Sequence, residues 1–134
     1  MTLGLSATNT ANAFLDVFGN TTFTGISGVW VQLHTSAGEP GSAGSVNVSA
    51  ETTRKQITWS GAASGGAKTM SGTLSWTSWT AGNETIKYIT LWDASTSGNF
   101  LWSGELSAEK AVTNGDTLNI TALTIAVATA SIAA

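Results

Sequence analysis

A chain of 134 residues with 42 % apolar residues, six tryptophans and a net charge of −3 is sized for one self-sufficient domain and lacks the low-hydropathy, high-charge signature of disorder. Charged residues make up only 10 %, five basic against eight acidic, so a footprint built on phosphate neutralisation would be weak and no nucleic-acid partner is expected. Zero cysteines remove disulfides, thiolate metal sites and a cysteine nucleophile; MTLGLSATNT lacks a basic and an apolar signal region and no 18 apolar residues run together, so secretion by a signal peptide and membrane spanning are not expected.

The first element is a helix over about residues 9–18. Ala11, Phe14, Leu15 and Phe18 repeat at helical spacing, Thr8 or Thr10 is placed to cap the start, and Gly19-Asn20 supplies the stop. A helix of about three turns is marginal by itself, so its Phe14/Phe18 stripe must lie on something. Packing into the chain's own core is the first expectation and docking on another subunit the second.

After the break at Gly25–Gly28, Val29 to His34 alternates, with Val29, Val31 and Leu33 inward and Trp30, Gln32 and His34 on the other face. Thr35 to Ser45 holds the single proline, Pro40, and three glycines, and reads as a surface loop long enough to make contacts. A short edge segment is expected within Val46–Glu51. Arg54 to Trp59 and Lys68 to Trp76 each alternate as strands, separated by the small-residue run Gly61–Gly66.

Ile86, Tyr88 and Trp92 fall on one parity and Ile89 and Leu91 on the other, which marks a central strand apolar on both faces. The run from Asp93 to Asn99 turns the chain, and Phe100, Trp102 and Leu106 alternate again, so a hairpin is expected in which Trp92 and Trp102 pair across the strands. Asn114-Gly115 is the strongest turn signal in the chain. Leu118 and Ile120 follow on one phase and Leu123, Ile125 and Val127 on the other, which places a bulge near Thr121-Ala122. The whole predicts a mainly β fold: one antiparallel β-sandwich or jelly-roll-like domain over residues 1–134, with seven or eight strands from about 29 to 130 and one short N-terminal helix.

Little in the chain points to catalysis. His34 is the sole histidine and sits at a strand end without a nucleophile motif, which favours a surface or interface histidine. The eight carboxylates are scattered, and no spacing selects a glycosidase pair. Asp93 with Ser95, Ser97 and Asn99 alternates oxygens as a calcium loop does, but one carboxylate makes a side-chain-bonded turn the better reading. No Gly-rich loop opens a helix to hold a phosphate. The expectation is a non-enzyme with no metal and no cofactor.

The tryptophans are the sharper signal. Trp59, Trp92 and Trp102 are expected in the core, whereas Trp30 and Trp76 on polar-rich faces and Trp79 in a loop are expected at the surface. Exposed aromatics serve sugar stacking or anchor an interface, and the scarcity of charge favours protein contact. Pro40, Trp79, Trp30, Trp76 and Phe14 are therefore the interface candidates.

NAFLDVFGNTTFTG, VWVQLHTSAGEPGSAG, TTRKQITWSGAASGG, ITLWDASTSGNFLWSGEL and KAVTNGDTLNI with a closing LTIAV together resemble a family of small tailed-bacteriophage virion proteins, labelled tail fibre, minor tail or head decoration. The resemblance spans about Ala11 to Val127, and VQLHT and the LWDA…FLWSG hairpin are its most specific pieces. It implies a structural protein of the virion, assembled in the host cytoplasm, with other virion proteins as partners. Where that pattern often has an aromatic before the basic pair, this chain has Thr53. The compact build, without repeats or a coiled-coil shaft, favours a capsid decoration protein bound to the major capsid protein as a homo-oligomer. The alternative is a fibre or minor tail component with a glycan as a further partner; no membrane partner is expected.

Overall fold

The computed structural model describes residues 3–126. The expected continuation of the last strand through Val127 toward residue 130 lies outside the described residues. In chain order the strands are β1 (Gly4–Leu5), β2 (Trp30–Thr35), β3 (Lys55–Gln56), β4 (Thr58–Trp59), β5 (Ala67–Ser71), β6 (Leu74–Trp76), β7 (Glu84–Trp92), β8 (Phe100–Val112), β9 (Leu118–Ile120) and β10 (Thr124–Ala126). They form a five-stranded sheet in the order β1-β8-β7-β2-β3, a three-stranded sheet β10-β5-β4 and a two-stranded sheet β6-β9. Every pairing between these strands is antiparallel.

Among the described residues there are ten strands rather than the expected seven or eight, because three expected strands each change sheet partway and β1 precedes the helix, where no strand was expected. Residues 54–59 pair with β2 as far as Gln56 and with β5 from Thr58. At the break, the Ile57 amide donates to Val29 O (2.8 Å) while its side chain enters the core. Residues 68–76 divide at Gly72, whose φ of +73° ends β5 and sends β6 to pair with β9. The expected bulge at Thr121-Ala122 is such a corner too: β9 pairs with β6, and β10 with β5. Strands that turn from one sheet into the next are how packed sheets make corners.

The central strand is β7, paired on both sides. Val31 lies opposite Leu91 and Leu33 opposite Ile89, and this face of the sheet meets Met70, Leu74, Trp76, Leu118 and Ile120 of the smaller sheets in one apolar cluster. A register shift between Leu91 and Trp92 places Trp92 opposite Phe100, with ring centroids 5.8 Å apart, and Trp102 opposite Leu91. The expected Trp92–Trp102 pair therefore does not form, because the extra residue Leu101 turns the two indoles to different faces.

The N-terminal segment is helical over residues 7–19: a π-helical turn (Ala7–Ala11), α1 (Asn12–Asp16) and a 3-10 turn (Val17–Gly19). Its cap is Ser6, whose Oγ accepts from the Asn9 amide (3.3 Å), rather than Thr8 or Thr10. The stop is Asn20, as expected, in the left-handed region at φ 65°.

Candidate interaction surface

The second face of the large sheet carries Trp30, Gln32, His34, Thr90 and Trp92. Polar side chains on such a face imply water, yet His34 and Thr90 are fully buried. The reason is the 36–49 loop, which folds back over them instead of standing off as a surface loop. Ser49 N donates to Leu33 O (3.1 Å) and Thr35 N to Asn47 O (2.9 Å), Val48 bridges His34, and Gly44 lies against the Phe100 ring. That single bridge is what exists of the edge segment expected within Val46–Glu51. Pro40 is fully buried under this cover, so the expectation of a contact residue there is overturned.

Beneath the loop His34, Thr90 and Trp92 are joined by one run of hydrogen bonds. His34 Nδ1 faces Val46 O (2.9 Å), a pure acceptor, so Nδ1 carries the proton. His34 Nε2 then accepts from Thr90 Oγ1 (2.8 Å), which itself accepts from Trp92 Nε1 (2.8 Å). Burial lowers the imidazole pKa, outweighing the pull of the carbonyl in the other direction. His34 is thus a structural, neutral histidine and not a surface one.

Arg54 closes the end of this face. Its guanidinium lies 4.0 Å from the Trp92 ring centroid, Nε donates to Gln32 Oε1 (3.1 Å), and Nη1 donates to Ala94 O (2.9 Å) and Ser97 O (2.6 Å) of the hairpin turn. Inside that turn, Asp93 accepts from the Asn99 amide (2.6 Å) and its side chain (2.8 Å). The turn is thereby fixed by its own side chains. Among the described residues no group of three or more His, Asp or Glu side chains is placed to hold a metal ion.

The tryptophans exchange their expected places. Trp79, expected at the surface, is 1 % exposed and Trp76 is 2 % exposed. Trp79 Nε1 donates to Gly82 O (2.9 Å), and its backbone exchanges bonds with Gly115 and Asp116, so a loop residue becomes core because the 113–116 turn holds it there. Trp76 Nε1 reaches Thr53 O (2.7 Å). Trp59 and Trp102 are only partly buried, and Trp30, opposite Trp92, is half-buried.

Of the five interface candidates, Phe14 is the one left well exposed, at 52 %. It has company that the helical stripe only partly announced: Leu15, Val17 and Phe18 are all exposed, Phe18 at 82 %. The helix is held to β8 by its polar start, not by its apolar stripe. Asn9 Nδ2 donates to Phe100 O (2.9 Å), Thr10 Oγ1 to Leu101 O (3.0 Å), and Ser6 N to Leu101 O (2.7 Å). With the first turn spent on β8, the stripe that was expected in the core faces outward. Phe14 and Phe18 meet edge to face at 6.1 Å. A sequence signal was present: residues 3–29 contain one charge, Asp16, beside a full complement of apolar side chains.

A cleft of about 470 Å³ separates this segment from the tip of the β7–β8 hairpin. Asp16, Thr22 and Phe23 line one side and Asp93 and Asn99 the other. Sequence reading does not bring these two segments together.

No curated protein matches the chain. A family model described as "Podophage GP4 fiber I protein gp80" matches residues 4–128, which takes in every strand and the helical segment. That match covers nearly the whole chain, and it agrees with the virion resemblance carried by the VQLHT and hairpin motifs: the chain belongs to the Podophage GP4 fiber I protein gp80 family and is a structural protein of a tailed-phage virion.

Proposed function

We propose that the chain is a non-enzymatic fibre subunit carried on the phage tail, which associates with further copies of itself through the exposed Phe14–Phe18 face. The observation that carries this reading is the outward-facing apolar helix in a chain of a fibre family. At ~150–250 Å² per aromatic side chain, the two rings leave roughly 250 Å² in water, and Leu15 and Val17 extend the patch into the ~300–600 Å² range where patches are often functional. A standard interface buries about 800 Å² per partner, so this face supplies an apolar centre of fitting size.

A second copy suits it best. An edge-to-face ring pair offers both an edge and a face, which an identical pair accepts. Asp16 is the lone charge nearby, so little repulsion opposes self-contact and no charge pattern selects a different partner. Light scattering tests the association: the wild type should run at a multiple of 13.7 kDa and Phe14→Ser/Phe18→Ser at about that mass, with unchanged circular dichroism. A monomeric wild type at high concentration would remove the interface.

The placement is tested on the particle. Antibody-gold label confined to the tail supports the fibre reading; label spread over the head at lattice symmetry replaces it with capsid decoration. That second reading is favoured by the compact build without repeat or coiled-coil shaft in the sequence.

A further inference from the structure

We infer that Asn114-Gly115 is a latent deamidation site, which the folded 113–116 turn holds closed and whose rearranged product bars the chain from regaining its Trp79 core. The site is separate from the Phe14–Phe18 face and takes nothing from it. Asparagine is chemically labile because the backbone nitrogen of the next residue reaches its side-chain carbonyl. Asn114 is the one asparagine of the chain that precedes glycine; each of the others precedes a residue whose Cβ crowds that approach. Asn114 is also exposed, so water reaches it.

In the reaction Gly115 N gives up its proton and attacks Asn114 Cγ. A C–N bond forms, the Cγ–Nδ2 bond breaks, and Nδ2 leaves with that proton as ammonia. The cyclic imide then takes up one water. Opening at Cγ leaves an aspartate on an ordinary backbone, whereas opening at the main-chain carbonyl routes the backbone through Cβ and Cγ and makes it one atom longer. Water is the only co-reactant, and nothing is oxidised or reduced. Either product adds one negative charge to the chain's −3.

The fold engages both reacting groups. Gly115 N donates to Trp79 O (2.8 Å), which holds the proton that must leave, and Asn114 Oδ1 accepts from Gly82 N (2.9 Å), which ties down the carbonyl that must swing. The turn is braced by Asp116 N donating to Thr113 O (3.0 Å) and by Asp116 Oδ2, which accepts from Thr113 N (2.8 Å) and Thr113 Oγ1 (3.0 Å). Attack therefore waits on a local opening that breaks the bonds to Trp79 and Gly82. Those bonds also seat Trp79, whose N donates to Asp116 O (2.9 Å) and whose side chain is buried. With an extra main-chain atom between positions 114 and 115, the bonds from Gly115 N and to Asp116 O cannot both meet Trp79 in register, and the indole loses its clamp.

The test is peptide mapping by mass spectrometry of the full chain held in mildly alkaline buffer with and without urea. Conversion should begin at Asn114 and run about ten-fold or more slower in the native chain than in urea. Asp116→Ala, an exposed change that removes the acceptor of Thr113, should speed conversion in the native chain about three-fold or more and leave the rate in urea nearly unchanged. Once urea is removed, the chain with the rearranged linkage should fail to regain native tryptophan emission. Asn114→Asp, which carries the same added charge on an ordinary backbone, should regain it. Equal rates with and without urea, earlier conversion at another asparagine, a native rate that Asp116→Ala leaves unaltered, or native emission from the rearranged chain would each overturn the inference.

Discussion

At the scale of single residues, the buried His34 row makes a prediction whose sign is fixed by its hydrogen bonds. A protonated imidazole would have to donate from Nε2 toward Thr90 Oγ1, which already accepts from Trp92 and would lose the acceptor for its own proton. The folded chain therefore resists the proton, and burial holds the His34 pKa below the usual 6.5. Between that lowered value and 6.5 the unfolded chain binds more protons than the folded one, so stability is complete above about pH 6.5 and falls as pH drops below it. Because the chain has one histidine, the change in urea midpoint between pH 7.5 and 5.5 should largely vanish in His34→Gln. Thr90→Val should cost about 1–3 kcal/mol at pH 7.5, since it leaves His34 Nε2 buried without a partner and removes the acceptor of Trp92 Nε1. A pH dependence that persists undiminished in His34→Gln would assign it to other groups.

At the scale of elements, the 36–49 loop acts as a lid whose fit depends on Gly44. Its φ is +64°, and a Cβ there would lie 2.5 Å from Phe100 Cδ2, inside any tolerable contact. Gly44→Ala should cost at least the ~1–2 kcal/mol of left-handed strain, and the clash should lift the loop from the sheet. As the loop also carries Val46 O, the partner of His34 Nδ1, its departure should hydrate the imidazole and bring its pKa back up toward 6.5 in an NMR titration. An unchanged His34 titration in that variant would mean that the sheet, not the loop, sets the histidine's environment. The same element shows what the sequence could reveal. Alternation placed Trp30, Gln32 and His34 together on one face correctly, but a strand's phase does not say what covers that face. The loop's Gly and Pro content gave its irregular path and not its destination, so Pro40 and His34 were expected outside. Trp79 was misplaced for the same reason: a tryptophan between turns has no phase, and the 113–116 turn that holds it is 34 or more residues away. The helix fared the opposite way. Its period and its Asn20 stop were legible, but its orientation depended on Asn9 and Thr10 reaching carbonyls of β8, and long-range hydrogen bonds leave no local pattern. The cleft joins residues 9–23 to 93–99 through that same docking, which is why spacing could not disclose it.

At the scale of the molecule, the corner strands link the three sheets of the described residues. β3 and β4, β5 and β6, and β9 and β10 are short pieces of continuous chain that pair in different sheets, so no sheet can open without pulling a strand from another. Each sheet also contributes to one apolar cluster, from Val31 and Leu91 in the largest to Met70 in the second and Leu74, Trp76 and Ile120 in the smallest. Unfolding should therefore be a single cooperative transition. In the Phe14→Ser/Phe18→Ser background, where self-association does not add to the stability, urea curves followed by tryptophan fluorescence and by far-ultraviolet circular dichroism should share one midpoint. The helical segment is the exception the structure sets apart. It buries none of its own side chains over residues 7–19 and is joined to β8 by a few hydrogen bonds, so its amides should exchange with solvent well before those of β7. Addition of a second copy should slow that exchange in the wild type while leaving β7 unchanged, which links the local stability of the segment to the interface it presents. Equal exchange in wild type and double variant would separate the two and leave the helix a surface feature without a docking role.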